Sequence, residues 1–291
     1  MSELTTIDTN NYAAMAQMMG MAYDAQEKKG SLARIKINKT AVMGDAKVNG
    51  KTIKAELLQA GSFLLEGGDG KELCASSATI RPFMQRFMYQ KYDNDKGNYQ
   101  KTLMAENLDV DLKDTDGTFN CGKPSGYIKD FDSLPDGQKE LIRQIRRVRV
   151  IFGTIDMKGI TKEGEEQSVK DVPFIWEVDS KEGFKNLGAA FNKLSNIQRL
   201  PIQHMMKIGI ETRQLPTGGT YYVPTAVFNT KDNIEINLDV DQPILKEFAS
   251  HVEGFNKWVI GEWDKAHEND MPEEDKDIVD GFIDVEVKEE D

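Results

Sequence analysis

The chain has 291 residues, of which 39% are hydrophobic and 30% are charged, and its formal net charge is −12. This length suits one large or two small globular domains, and no segment approaches the roughly 18 consecutive apolar residues of a membrane span. The polar N-terminus lacks a secretory signal and two cysteines, Cys74 and Cys121, make no disulfide framework, which predicts a cytoplasmic protein without membrane association.

Residues 9–29 are predicted to form a helix, because Tyr12, Met15 and Met19 recur at spacings of three and four residues and Gly30 is a typical stop. A helix this apolar, placed ahead of the first strand, needs a surface to pack against. Two partners remain open: its own domain, or a neighbouring copy of the chain. The second alternative predicts a homo-oligomer.

After this helix, short alternating segments separated by turn residues predict strands. The predicted strands span 32–39, 61–65, 79–92, 99–103, 145–155, 172–178, 205–213 and 221–228. Asn49-Gly50 and Gly218-Gly219 tolerate positive φ and are typical of hairpin turns. Pro82 predicts a bend in the longest strand.

Three helices accompany these strands. They are predicted at 138–144, from Lys181 to Ile197, and from a cap at Asp241 with Pro243 in the first turn. Many short strands with helices inserted late indicate an α+β fold. We expect its core to be an antiparallel OB-like β-barrel with added helices.

Catalytic and metal-binding signatures are weak. The glycine-rich segment 66–72 lacks the spacing and the Ser/Thr of a phosphate loop. Asp109, Asp111, Asp114 and Asp116 resemble a calcium loop, but the ligand spacing and the closing Glu are missing. The scattered histidines and cysteines do not form a zinc set. We therefore expect no enzyme, no metal and no cofactor; a nuclease using the four aspartates is the remaining enzymatic alternative.

Basic and aromatic side chains alternate along the longest predicted strand. With a two-residue period, one face carries Arg81, Phe83, Phe87, Tyr89 and Lys91, extended by Tyr99 and Lys101 of the next strand. Arg86 points the other way unless a bulge intervenes. Such a face suits single-stranded nucleic acid, because cations neutralise phosphates and each base stacked on a ring contributes about 1–3 kcal/mol. The alternative is that Phe83 and Phe87 belong to the core.

A second basic cluster comprises Arg143, Arg146, Arg147 and Arg149. Arg147 and Arg149 share one face of a strand, and guanidinium groups bind phosphate and stack on bases. The alternative is that these arginines pair with nearby acids. A third candidate is Tyr221-Tyr222, for which hairpin packing is the favoured interpretation.

The segment 268–291 holds 12 acidic residues and 2 lysines, and so carries −10 of the chain's −12 charge. Blocks of like charge stay solvated and often act as interaction tails. We expect this tail to compete with nucleic acid for a basic groove and, once displaced, to present Phe282, Ile283, Val285 and Val287 to partner proteins.

The basic-aromatic strand from 81 to 92 and the tail from 270 to 291 give the chain an organisation that resembles the single-stranded DNA-binding proteins of bacteriophages. The resemblance implies an OB-type barrel, no catalytic site, and sequence-independent binding of single-stranded DNA in phage replication or recombination, in the host cytoplasm. It also implies that replication or recombination proteins read the tail. The tail differs from bacterial members of this class, which end in an apolar residue, and the resemblance does not cover residues 155–240.

Three units follow: an N-terminal helix (1–30), a nucleic-acid-binding α+β domain (31–265) and a disordered acidic tail (266–291). A different function remains open, that of a phage virion or scaffold protein, in which the N-terminal helix and exposed strands serve assembly. That function predicts high-order oligomers that form without nucleic acid.

Overall fold

The computed structural model describes residues 32–48, 51–67, 71–124 and 128–268, which hold eleven strands and three α-helices. The strands are β1 (Ala33–Asn38), β2 (Val42–Val48), β3 (Lys51–Leu58), β4 (Ser62–Glu66), β5 (Glu72–Ala75), β6 (Ala78–Asp93), β7 (Asn98–Lys101), β8 (Arg146–Thr161), β9 (Glu166–Val178), β10 (Met206–Gln214) and β11 (Thr220–Phe228). The helices are α1 (Asp136–Gln144), α2 (Lys181–Asn196) and α3 (Leu238–Glu268), with 3-10 turns at Asn120–Gly122 and Pro201–Gln203.

Five strands close a barrel. β1 pairs with β4, β4 with β5, β5 with β8 and β8 with β9, all antiparallel. β9 then returns to β1 in a parallel pairing of only two residue pairs, Ala33 with Phe174 and Arg34 with Ile175. Strand direction alternates around a meander, so a ring of five must contain one parallel pairing. The predicted barrel within a mixed α/β chain is confirmed, whereas an antiparallel arrangement holds for only part of the ring.

β6 lies outside the barrel ring and pairs with β8, one of the five ring strands, while β2 and β3 form a separate two-stranded sheet. β7 pairs with the end of β6, and the hairpin β10–β11 pairs with its start. A bulge interrupts the β6–β8 register between Pro82 and Met84, leaving Phe83 as the extra residue. Opposite the bulge lies Gly153, where an added Cβ would come 2.3 Å from the Arg81 carbonyl oxygen, so the backbones approach too closely for a side chain.

Two hydrophobic cores lie on opposite sides of the β6–β8 pair. The larger fills the barrel and extends to α2, which contributes Leu187, Phe191 and Leu194. The other lies under α3, which contributes Phe248 and Val252. A smaller cluster around Tyr89 packs beneath the long connection that follows β7. In the middle of β6 and β8, each side chain therefore points either to the core under α2 or to the core under α3.

The helix predictions differ from the structure mainly at α3. Asn237 is the cap, since its Oδ1 accepts from the Asp239 N–H at 3.1 Å, and the predicted cap Asp241 lies inside the helix. α2 is capped by Ser180, whose side chain accepts from the Gly183 N–H at 3.2 Å. β5, which has only four residues, was not predicted.

The predicted N-terminal helix and residues 269–291 of the acidic tail, with Phe282, Ile283, Val285 and Val287, lie outside the described residues, whereas residues 266–268, predicted to begin the disordered tail, belong to α3. Cys74 and Cys121 are buried and free. Within the described part of the chain, no helix has the length and apolar character needed to cross a membrane.

Candidate nucleic-acid interface

The predicted contact residues fall on three separate surfaces. The bulge at Phe83 separates the first two sets, because one extra residue reverses the alternation of side chains along β6, and strand register places the third. The α3 side holds Arg81, Phe83 and Arg86; the α2 side holds Phe87, Tyr89, Lys91, Arg147 and Arg149; and Tyr99, Lys101 and Arg146 lie beside β1 and β9.

Arg81 and Phe83 hold α3 against the sheet. The two Arg81 Nη atoms donate to the Asp241 carboxylate at 2.8 and 3.0 Å, and Nε donates to the Ile202 carbonyl at 2.8 Å. Phe83 is 8% exposed and meets the edge of Phe248, with 5.8 Å between the ring centroids. Neither side chain is available to a phosphate or a base, which corrects the prediction for both.

Arg149 is a buried cation enclosed by rings. Its guanidinium carbon lies 4.7 to 5.7 Å from the ring centroids of Phe87, Phe184 and Phe191. Nη1 donates to the Gln85 side chain, and no carboxylate lies within ion-pair distance in the described ranges. Burial lowers the pKa of Arg149 to about 10. The prediction that Arg149 contacts phosphate is corrected, because the group is sealed inside and packs the α2 side.

Tyr89 also belongs to the interior. Its ring is 2% exposed, and its hydroxyl donates to the Leu108 carbonyl at 3.3 Å. Burial raises the pKa of Tyr89, and the Lys123 ammonium lies 5.1 Å from the ring centroid. A base cannot reach this ring, so the prediction that Tyr89 stacks on nucleic acid is corrected too.

Arg86, Lys91 and Arg147 keep part of their surface exposed but do not form one track. Arg86 lies on the α3 side with an Nη atom 3.7 Å from the Glu106 carboxylate. Lys91 and Arg147 lie on the α2 side, and Arg147 rests 5.1 Å from the centroid of the Phe184 ring. Phe184 was missed as a member of this cluster, since its helical spacing assigned it only to an apolar helix face.

The barrel opens into a groove of about 860 Å³ where β1 and β9 separate after their two paired residues. We call this cleft the β1–β9 groove. Its cations are Arg34, Lys36, Lys39, Lys101 and Arg146; its tyrosines are Tyr99, Tyr221 and Tyr222; and its carboxylates are Glu177 and Asp179. It thus brings together three of the predicted contact residues and the tyrosine pair.

Strand register explains why Tyr99 and Lys101 line the groove. They pair with Tyr92 and Gln90, and directly paired residues point to the same side of a sheet. They therefore face away from Phe87, which corrects the prediction that they extend its face.

The groove tyrosines are held by fixed contacts. Tyr99 is 48% exposed and meets Tyr92 edge to face at 5.0 Å between centroids. Tyr222 lies across Gly61, where φ is +84° and an added Cβ would come 2.3 Å from the ring. The Tyr221 hydroxyl donates to the Glu182 carboxylate at 3.2 Å. Fixed rings lose little conformational freedom when a flat ligand stacks on them.

The charges of the groove are predominantly positive. Three of its cations form ion pairs: Lys36 with Glu66 at 2.7 Å, Lys101 with Glu177 at 3.1 Å, and Arg146 with Asp179 at 2.7 Å. In the described segments, no ion pair involves Arg34 or Lys39, the other two cations of the groove. The local field is what a ligand meets, even on a chain of negative net charge.

The β1 cations were not predicted as contacts, although the sequence carries a signal for them. Arg34 and Lys36 alternate with Ala33 and Ile35, as expected for one polar and one buried face. Their relation to Arg146 depends on ring closure, which local pattern does not reveal. Nearby, burial and then the charge of Arg34 lower the pKa of His251.

Three of the four aspartates of the nuclease alternative make structural contacts. Asp114 is fully buried and accepts from the N–H groups of Thr118 and Cys121, both at 2.9 Å. Asp111 accepts from Asn120 at 2.8 Å, while Asp116 pairs with a lysine. Across the described ranges, no cluster of three or more His, Cys, Asp or Glu side chains could hold a metal ion.

Comparison of the chain with protein-family models, with curated proteins and with solved structures gives no match.

Proposed function

We propose that the protein binds single-stranded DNA, without sequence preference and without catalysis, in the β1–β9 groove. One observation carries the proposal: five cations and three partly exposed tyrosines line a single groove of about 860 Å³. Cations that track a backbone, combined with rings on which bases stack, are how proteins bind single strands without reading sequence.

Each group has a distinct part in this mechanism. Arg34 and Lys39 attract the phosphates first, because among the described residues no carboxylate is paired with either of them. Arg146 offers a planar guanidinium whose side chain is 59% exposed. Tyr99 offers an exposed ring at the β7 end of the groove, and Tyr222 offers a partly exposed ring at the β11 end.

The proposal rests on the groove more than on the fold. A closed five-stranded barrel is consistent with an OB-like fold, which binds oligonucleotides across a barrel face. In this chain, however, the strands follow one another around the ring in chain order, whereas the OB fold is a Greek-key barrel.

The acidic tail fits the same function as a competitor and as a partner-binding segment. α3 ends at Glu268, and its last turn packs on Gly117 beside Asp116, whose carboxylate pairs with Lys96 in the β6–β7 turn. The 23 residues after α3 could span up to about 75 Å if extended. We propose that the tail competes for the groove and, when displaced, binds replication or recombination proteins of a phage.

Fluorescence anisotropy tests the proposal with labelled oligo-dT of about 16 nucleotides, within the footprint of one barrel domain. The wild-type chain should bind it more tightly than the matching duplex, with affinity falling as salt rises. Tyr99→Ala should weaken binding by roughly 5- to 150-fold, the range for losing one stacked base.

Two matched controls accompany this experiment. Trp258→Ala removes an aromatic residue of similar exposure, 46%, from α3, and Lys158→Ala removes an ion-paired lysine far along β8; neither should change the affinity. Equal binding of single and double strands, or stable high-order oligomers without nucleic acid, would reject the proposal, the latter in favour of an assembly role.

A further inference from the structure

Two carboxylates on one edge of the groove already occupy two of its cations. Glu177 lies 3.1 Å from the Lys101 ammonium, and Asp179 lies 2.7 Å from the Arg146 guanidinium. Both acids sit at or just after the end of β9, and the Gln90 amide also donates to Asp179 at 3.5 Å. Both pairs line the same cleft.

A carboxylate and a phosphate oxygen compete for the same donors. An ionised carboxylate accepts from a guanidinium or ammonium in the geometry that a phosphate uses. A phosphate entering beside Lys101 or Arg146 must therefore displace a carboxylate or share its cation with it. Either way, part of the electrostatic gain of binding is offset at these two positions but not at Arg34.

We propose that Glu177 and Asp179 are internal phosphate mimics that compete with the backbone of the bound strand and so set the affinity of the groove. The proposal rests on the function proposed above. It makes the empty groove nearly neutral on its β9 side and leaves Arg34 and Lys39 as the place where a strand first engages. Binding then proceeds as phosphates of the strand replace the two carboxylates on Lys101 and Arg146.

The double variant Glu177→Gln/Asp179→Asn tests this, because the amides keep the size of both side chains and remove their charge. Affinity for the same oligo-dT should rise by roughly 2- to 30-fold at low salt, the range for two exposed ion pairs. The plot of log affinity against log salt should steepen by up to about 1.4, because two more cations become available to release counterions. Circular dichroism and urea unfolding would show whether the variant keeps its fold.

The matched control is Glu166→Gln, which removes the carboxylate of the Lys158–Glu166 pair, 3.3 Å apart on the exposed β8–β9 hairpin. It should change neither affinity nor salt slope. If the wild-type chain binds oligo-dT but the double variant binds equally or more weakly, the carboxylates position the cations and the competition proposal falls alone. If neither binds at any salt concentration, the proposed function falls with it.

Discussion

Among single residues, Arg149 shows most clearly how a basic side chain can serve the fold instead of a ligand. It is 7% exposed, and its charge rests on three phenylalanine rings without a carboxylate in the described part of the chain. Burying a cation in this way carries a desolvation cost, partly offset by ring faces and by Gln85. The residues that surround the guanidinium must therefore be small enough to leave room for it.

Gly188 on α2 provides that space. An added Cβ at residue 188 would come 2.6 Å from Arg149 Nη2. We predict that Gly188→Ala destabilises the protein by about 1–3 kcal/mol through overpacking, although alanine is otherwise the better helix former. In an Arg149→Ala background the same change should become neutral or stabilising, by up to about 1 kcal/mol.

Urea unfolding of the four proteins in this cycle measures the coupling. Gly254→Ala is a matched control, since residue 254 also lies within a helix but an added Cβ there meets no atom of the described residues within 4 Å. It should stabilise the wild-type chain. Equal effects of Gly188→Ala in both backgrounds would contradict the prediction.

At the scale of elements, α3 is fastened to the sheet through one buried ion pair. The Asp241 side chain is 1% exposed and that of Arg81 is 16% exposed, and the pair is bidentate. We predict that Asp241→Asn destabilises the protein by about 3–5 kcal/mol, because it leaves a buried guanidinium without its counter-charge.

Chemical denaturation compares this variant with Asp239→Asn, which changes an exposed acid two residues earlier in the same helix. The control should change the free energy of unfolding by less than about 1 kcal/mol. A small effect of Asp241→Asn, similar to that of the control, would show that α3 does not depend on the pair.

Elements also show how far the sequence predicts this structure. Alternation located most strands. It correctly placed Phe87 and Tyr89 on one face of β6, and Arg147 and Arg149 on one face of β8. In the structure Phe87 lies opposite Arg149, and Tyr89 lies opposite Arg147. The bulge at Phe83 was not predictable, since it depends on Gly153 of a strand some 70 residues away. Because strict alternation did not include this extra residue, the prediction placed Arg81 on the same face as Phe87. The structure places the two side chains on opposite sides of the sheet.

For the molecule as a whole, the groove also shows that local sequence patterns do not predict which distant residues meet. The sequence supplied Tyr99, Lys101 and Arg146 as separate candidates, but their meeting with Arg34 requires β9 to return to β1. Ring closure is a long-range property, and local periodicity carries no information about it. The concentration of acid near the C-terminus, in contrast, is a property of the sequence itself.

We predict that deleting residues 269–291 raises the affinity for single-stranded DNA, because the deletion removes 11 acids against only 2 lysines, and in the proposed mechanism these acids compete with phosphates for the cations of the groove. The gain should be largest at low salt, where the tail is least screened. Anisotropy titrations at several salt concentrations measure it. A chain with the tail acids replaced by their amides should behave like the deletion, and unchanged affinity in both would exclude competition.

The two-pair junction of β1 and β9 has a further consequence for the barrel. Like the β5–β8 seam, the β1–β9 seam has only two residue pairs, and local opening requires little free energy where few contacts must break. A nucleic-acid strand bound across that gap would contact both β1 and β9 and hold them together. A ligand in the groove would then slow hydrogen exchange of the backbone amides of β1 and β9. A ligand bound outside the barrel would in this way raise the free energy of opening the barrel.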